Sequence, residues 1–239
     1  MIQTLSRYIH LFYIALRAKL RPQLKVEGPT LIMAPHPDDE VLGCGGLIAS
    51  LCEAGNPPHI VIMTGGGGAL RGHASISEET VITERRKLTL NSAKYLGLPE
   101  SNIHFLDFTD GNISAKPTLE MERLRKIIEV LQPQNIFVPH SGEGWPDHLT
   151  TAKIVGDLKP KGVKLYEYAV WMWYYNVWKL NWRNAFKFKM TKQEHEAKLK
   201  AVEAYIRPLA PNGKPWSGVL PKAFVKANTL PLEIYFLNS

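Results

Sequence analysis

Two cysteines in 239 residues, Cys44 and Cys52, rule out a disulfide framework. The pattern around them predicts a single helix, on which eight positions at about 1.5 Å each leave them roughly 12 Å apart, beyond a bridge. Two unpaired thiols fit a reducing compartment, so the expected location is the cytoplasm. No apolar run reaches the roughly 20 residues of a membrane span; Tyr8–Leu16 is about half of that. Arg17 and Lys19 stand where a secretory signal needs small residues for cleavage. Repeats and low-complexity tracts are missing, and 45% hydrophobic with 21% charged residues is ordinary for one globular core. Acidic residues are scarce at the N-terminus, where Arg7, Arg17, Lys19, Arg21 and Lys25 face Glu27 alone. That stretch supplies over half of the net charge of +7. No nucleic-acid-binding motif accompanies the charge, so nucleic acid is not expected. A membrane surface or a phosphorylated substrate suits it better.

Within residues 1–27, Ile2, Leu5, Ile9, Phe12, Leu16 and Leu20 recur at helical spacing, with Leu11, Tyr13 and Ile14 widening the stripe. The segment reads either as a helix packed on the domain or as an interfacial anchor making peripheral contact with a membrane. The chain accordingly divides into an amphipathic basic segment, 1–27, and a main domain, 28–239.

Strands and helices alternate from there. Leu31–Ala34, His59–Thr64, Asn102–Leu106, Asn135–Val138 and Val163–Tyr168 read as strands. Val41–Ala54, Glu78–Leu96, Leu119–Leu131 and His148–Val155 read as helices. The alternation predicts an α/β fold, a Rossmann-like and mainly parallel sheet with helices on both faces. Beyond residue 168 the pattern loosens. Trp171, Trp173, Tyr174, Tyr175, Trp178 and Trp182 crowd one stretch, which suits packing or a sugar platform. Ala185–Met190 alternates like a strand, and Thr191 with Glu194 forms a capping box for a helix over Lys192–Ile206. Leu232–Leu237 reads as a last strand.

Ligands on such sheets sit beyond the carboxyl ends of the strands, and the reactive residues obey that order. His36-Pro37-Asp38-Asp39-Glu40 follows the first strand, and Trp145-Pro146-Asp147-His148 follows the fourth. One imidazole and three carboxylates in five positions repel one another if buried without a cation. Zinc accepts neutral imidazole and carboxylate and leaves one position open in catalytic sites, which points to Zn2+ on His36, Asp39 and His148. Asp38 is then free to take a proton, and Asp147 supports the site. A bland reading stays open at this level, because loops after strands favour Asp and Pro for turn geometry alone. Gly65–Gly68 suits a substrate loop, with Arg71 beyond it in reach of an anionic substrate group. Arg85, Arg86 and Lys87 read as one exposed helix face.

Pro35-His36-Pro37-Asp38-Asp39-Glu40 followed by Gly43-Cys44-Gly45-Gly46 resembles the opening signature of the PIG-L (LmbE-like) deacetylase family. Pro146-Asp147-His148, Ala93-Lys94-Tyr95-Leu96-Gly97 and Pro231-Leu232-Glu233 are similar to its later motifs, so the likeness runs over about residues 30–237. It implies a zinc-dependent N-deacetylase, hydrolysing the acetamide of an N-acetylglucosamine-type sugar that is free, glycan-linked or lipid-linked. His36, Asp39 and His148 are then the metal ligands, and Asp38 the general base. The chain departs from the family at Trp145, where members usually carry an oxyanion-stabilising His. Trp145 is left as a substrate contact, and His140, upstream in the same loop, is the expected replacement donor. Two alternatives remain at this level: a zinc amidase acting on another acyl amide, such as an antibiotic or thiol conjugate, and a non-catalytic glycan- or membrane-binding relative.

Overall fold

The computed structural model describes residues 2–72, 76–114, 116, 118–172 and 180–238, with backbone alone for 2–5. Trp173, Tyr174, Tyr175 and Trp178 of the aromatic stretch lie outside the described residues. Five parallel strands form the centre of a seven-stranded sheet: β1 (Thr30–Ala34), β2 (His59–Thr64), β3 (Ile103–Phe108), β4 (Asn135–Pro139) and β5 (Lys164–Tyr168). Two antiparallel strands, β6 (Ala185–Lys189) and β7 (Leu232–Asn238), complete it in the order β3-β2-β1-β4-β5-β7-β6. The chain leaves β1 toward β2 and β3 and then returns to the other side for β4. The switch point therefore lies between β1 and β4, where ligands of such sheets bind.

Among the described residues seven α-helices accompany the sheet: α1 (Ile2–Lys19), α2 (Asp39–Glu53), α3 (Glu78–Tyr95), α4 (Leu119–Leu131), α5 (Pro146–Leu158), α6 (Lys192–Ile206) and α7 (Lys222–Asn228). β1 shows why the expected strands read as unbroken apolar runs. Ile32 and Ala34 pack into the core with α2, α3 and α6, while Leu31 and Met33 pack with α4 and α5 on the other face. A strand buried on both faces keeps no polar side. The capping box at Thr191 forms as expected, with Glu194 N–H on the Thr191 hydroxyl at 3.2 Å. Cys44 and Cys52 are both free thiols on α2. The short helix α7 escaped the sequence pattern because seven residues after Pro221 show too little periodicity.

The N-terminal helix packs on the domain, but not through the main row of its apolar stripe. Leu11, Ile14 and Ala18 are buried against Ala185, Ala227, Ile234 and Phe236, while Ile9, Phe12, Leu16 and Leu20 face outward. The strand edge at β6 is covered by the chain that follows, where Leu24 N–H donates to the Lys187 carbonyl at 2.7 Å. No described helix is long and apolar enough to cross a membrane.

Helix α2 is held by a charge pair set into its backbone. The Glu233 carboxylate accepts the N–H groups of Gly46 at 2.7 Å and Leu47 at 3.0 Å, and Lys198 Nζ donates to the Leu42 carbonyl at 2.9 Å. Lys198 and Glu233 also pair at 2.7 Å, both fully buried. Gly43 and Gly46 allow this close approach, since a Cβ would sit 2.2 Å from the Tyr168 ring at the first and 2.5 Å from Met190 Sδ at the second. Removing one partner of such a pair leaves an uncompensated buried charge. Glu233→Gln is expected to lose about 3–5 kcal/mol of stability in urea titration. A loss below about 1 kcal/mol would mean that the pair does not hold the helix.

Candidate metal centre and active site

His36 leaves the end of β1, Asp39 opens α2, and His148 lies in the first turns of α5, just past β4. The three side chains meet at the switch point. Asp39 Oδ2 lies 3.2 Å from His36 Nδ1 and 3.3 Å from His148 Nε2, and the three donor atoms lie within 4.8 Å of one another. Ligands at the corners of a tetrahedron with metal bonds of about 2.0–2.1 Å are roughly 3.3 Å apart. Two imidazoles and one carboxylate at that spacing fit a divalent metal with an open position.

The surrounding charge makes the same demand. Asp38, Asp39, Glu40, Asp110, Glu143 and Asp147 crowd the site, and Arg85 is the buried guanidinium among them. Burial opposes protonation of His36, yet Asp110, Asp147 and Asp39 together hold its imidazolium well above the usual range. Burial pushes His148 down to about 4, with Asp39 opposing. A bound cation would supply the positive charge that the carboxylates otherwise draw from His36.

A second grouping, His36 with Asp110 and Asp147, is better read as support. His36 Nε2 is 3.2 Å from a carboxylate oxygen of each, on the ring side away from Asp39. Asp147 already accepts Gly111 N–H at 2.7 Å and Ile113 N–H at 3.2 Å, and Asp110 accepts Gly68 N–H at 2.6 Å. Carboxylates so placed fix the ring of a metal-ligating His. Asp110 follows the third strand and belongs to none of the motifs that mark the site in the sequence. Glu143 has the matching place beside His148, with Oε2 3.6 Å from Nδ1. It is held by the N–H groups of Val170, Trp171 and Met172, and burial pushes its carboxyl up to about 8.

Asp38 shares the cavity with the ligand cluster and has an unusual backbone. At φ 112° it occupies a left-handed conformation costly for a residue with a side chain, a strain common at functional sites. Arg85 receives it: Nη2 reaches Asp38 Oδ2 at 3.1 Å and the Pro37 carbonyl, and Nη1 reaches the Gly66 carbonyl at 3.0 Å. Burial raises the Asp38 carboxyl to about 8 against the pull of Arg85. Arg85 was expected on an exposed helix face and is instead 4% exposed. A three-residue basic run hides the fact that one member points inward on a helix. Gly65–Gly68 wraps over this guanidinium, since a Cβ on Gly66 would sit 2.3 Å from Arg85 Nη1. Glu40 is fixed by the Tyr205 hydroxyl and accepts Asp38 N–H at 3.0 Å.

A cavity of about 340 Å³ opens over the cluster. Its lining includes the polar side chains of Asp38, Asp39, His36 and His148 and the apolar ones of Trp145, Trp171, Leu220 and Phe224. Trp145 and Trp171 lie 5.6 Å apart between ring centroids, and Trp171 stacks on Phe224 at 4.0 Å. Arg71 stands at the rim, exposed and paired with Glu78 at 3.3 Å. His140 is not brought to the cavity. Its Nδ1 accepts Gly142 N–H at 2.7 Å, its Nε2 faces Glu167 at 3.4 Å, and its ring meets Phe236 edge-on. The imidazole points under β5 and β7 rather than over the rim, and burial pushes it down to about 4. The structure thus does not bring His140, the expected replacement for the family His, together with the ligand cluster.

The family model for PIG-L, described as GlcNAc-PI de-N-acetylase, matches residues 31–159. The chain belongs to the PIG-L family. That match takes in all three candidate ligands, Asp38 and Arg85. Diacetylchitobiose deacetylase of Thermococcus kodakarensis is 31% identical over 49% of this chain and 44% of its own length. A probable N-acetyl-alpha-D-glucosaminyl L-malate deacetylase of Bacillus anthracis is 26% identical over 56% of this chain and 60% of that relative. The chain thus spans less than two thirds of these PIG-L relatives. Among solved structures, N,N'-diacetylchitobiose deacetylase of Pyrococcus horikoshii superposes with a TM-score of 0.62 at 24% identity, covering 77% of this chain and 72% of that one. It establishes the shared fold.

His36→Ala and His148→Ala are each expected to lose a divalent ion bound at about one per chain, read by elemental analysis after dialysis. Asp147→Asn should keep the ion with affinity about 10–100-fold weaker, because only the orientation of His36 is disturbed. Full occupancy in a His36→Ala/His148→Ala protein would refute the ligand set.

Proposed function

We propose that this protein is a zinc-dependent N-deacetylase acting on an acetamido sugar of the N-acetylglucosamine type. The single observation that carries the reading is the convergence of His36, Asp39 and His148 on one point, with Asp38 beside them in the lining of the cavity. Zinc, when bound, polarises the amide carbonyl and lowers the pKa of a water molecule at the open position. The Asp38 carboxylate accepts the proton of the attacking water and returns it to the departing amine nitrogen. Arg85 holds that carboxylate in place and balances its charge, so it acts as a positioning residue. Asp110 and Asp147 orient His36, and Glu143 stands behind His148.

Sugar rings carry an apolar face, and the wall of Trp145 and Trp171 offers aromatic surface in the same cavity as the carboxylates. Arg71 at the rim suits an anionic substituent on the sugar or its aglycone. Trp145 brings a neutral indole N–H where the family has an imidazole, so it contributes at most a hydrogen bond and no proton transfer. Hydrolysis without that imidazole depends more heavily on the metal and on Asp38. The free thiols of Cys44 and Cys52 fit a cytoplasmic setting.

The same wall supports a second reading, an amidase for a bulkier acyl amide, because Leu42, Leu220 and Phe224 extend the apolar surface beyond a single ring. A panel pairing N-acetylglucosamine glycosides with longer N-acyl analogues, assayed by amine release, distinguishes the two. A binder without turnover releases no amine from either. Asp38→Asn is expected to retain the metal and lose turnover by about 10²–10⁴-fold. Near-normal turnover in a metal-loaded Asp38→Asn protein would remove Asp38 from the mechanism.

A further inference from the structure

Helix α1 has two apolar faces, and the domain uses only one. Leu11, Ile14 and Ala18 are buried in the core, with Tyr8 and Tyr13 packed at its edge. On the opposite side Ile9 is 57% exposed, Phe12 71%, Leu16 50% and Leu20 70%. Four large aliphatic and aromatic side chains in a row over three turns form a continuous outward stripe, unlike scattered apolar residues on an ordinary surface. Among the described residues, the core contacts of α1 are made by its other face.

The charge around the stripe is of one sign. Residues 1–26 hold five basic residues and no acidic one. The elements packed beside α1 continue this. Arg183, Lys187 and Lys189 lie in and beside β6, and Lys222 and Lys226 on α7; segments 180–190 and 219–231 contain no Asp or Glu. Contacts tie these pieces into one surface. Lys187 Nζ donates to the Lys19 carbonyl at 2.6 Å, and Lys226 Nζ lies 5.2 Å from the centroid of the Tyr8 ring. The ten basic residues of this surface leave nineteen against twenty-two acidic residues elsewhere, so the rest of the molecule is net negative. The basic excess of the whole chain is therefore concentrated around one apolar stripe.

We infer that this face docks on an anionic lipid bilayer, with α1 lying in the interface plane. Ile9, Phe12, Leu16 and Leu20 enter the boundary between headgroups and acyl chains, and the surrounding Lys and Arg side chains meet the lipid phosphates. A protein partner would more often find its apolar patch ringed by mixed polar groups; a rim of cations alone is complementary to a uniformly anionic surface. The face also adjoins the cavity. Helix α7 turns Lys226 toward α1 and Phe224 into the apolar wall, so a docked molecule holds its cavity mouth near the bilayer. The inference stands apart from the proposed reaction, because it rests on surface residues that touch neither the ligand cluster nor Asp38.

Flotation of the purified full chain with vesicles tests it. Phosphatidylcholine vesicles containing phosphatidylglycerol should carry the protein, pure phosphatidylcholine vesicles much less, and added salt should weaken the association. Phe12→Asp/Leu16→Asp should lower partitioning by at least about tenfold, because charge on the stripe opposes insertion. Its melting temperature should stay near the parent value, since both positions are exposed. Lys19→Gln/Lys25→Gln, which leaves the apolar stripe intact, should flatten the salt dependence. The inference is overturned if the parent chain ignores anionic vesicles, or if a stably folded Phe12→Asp/Leu16→Asp protein partitions as before. It is equally overturned if the parent elutes as a dimer that this variant splits, since a second copy then covers the stripe. Amine release plays no part in the readout, so failure here and failure of the deacetylase reading are separate results.

Discussion

Mutual repulsion among buried carboxylates governs the architecture of the rim. Asp38, Asp39, Glu40, Asp110, Glu143 and Asp147 arrive from the ends of β1, β3 and β4, and no packing of apolar groups compensates for them. Each is instead assigned to a donor: Asp38 to Arg85, Glu40 to Tyr205, Asp110 and Asp147 to His36 and loop N–H groups, and Glu143 to three N–H groups after β5. Asp39 accepts the His36 N–H and lies between two imidazole nitrogens. The demand for positive charge there makes the point between His36, Asp39 and His148 the natural seat of a cation.

The demand reaches the far end of the chain. Asp39 and Glu40 form the first turn of α2, so the site is only as well placed as that helix. Glu233, from β7, and Lys198, from α6, fasten α2 from below through its own N–H and carbonyl groups. The glycines after the acidic motif are what let Tyr168 and Met190 close on the same helix. A motif near residue 40 and one near residue 233 thus belong to a single mechanical unit, which explains why both accompany the chemistry.

The cavity divides its tasks between two kinds of side chain. Carboxylates, imidazoles and Arg85 form its polar lining, and Trp145, Trp171 and Phe224 its aromatic lining. The indole at Trp145 extends this aromatic lining where an imidazole would have added a donor.

Much of this was legible in the linear chain, because local rules decide it. The alternation of buried strands and periodic helices determined the α/β layering, and several elements, among them β2, α4 and α6, fall at their expected bounds. The ligand types and their order after β1 and β4 marked the candidate metal residues, since sheets of this class gather ligands at strand ends. Direction in space was not legible. Periodicity gave one broad apolar stripe on α1 but not which part of it meets the domain, a choice made by packing against β6, β7 and α7. The run Arg85-Arg86-Lys87 looked like one solvated face, yet the left-handed turn at Asp38 draws Arg85 inward to a carboxylate 47 positions away. His140 shared a loop with the site but is directed under the sheet by its contacts with Gly142, Glu167 and Phe236. Residue type and spacing, which follow from short-range sterics and burial, were set by the sequence alone. Which side chain faces which partner depended on how distant elements pack, and only the tertiary structure decided that.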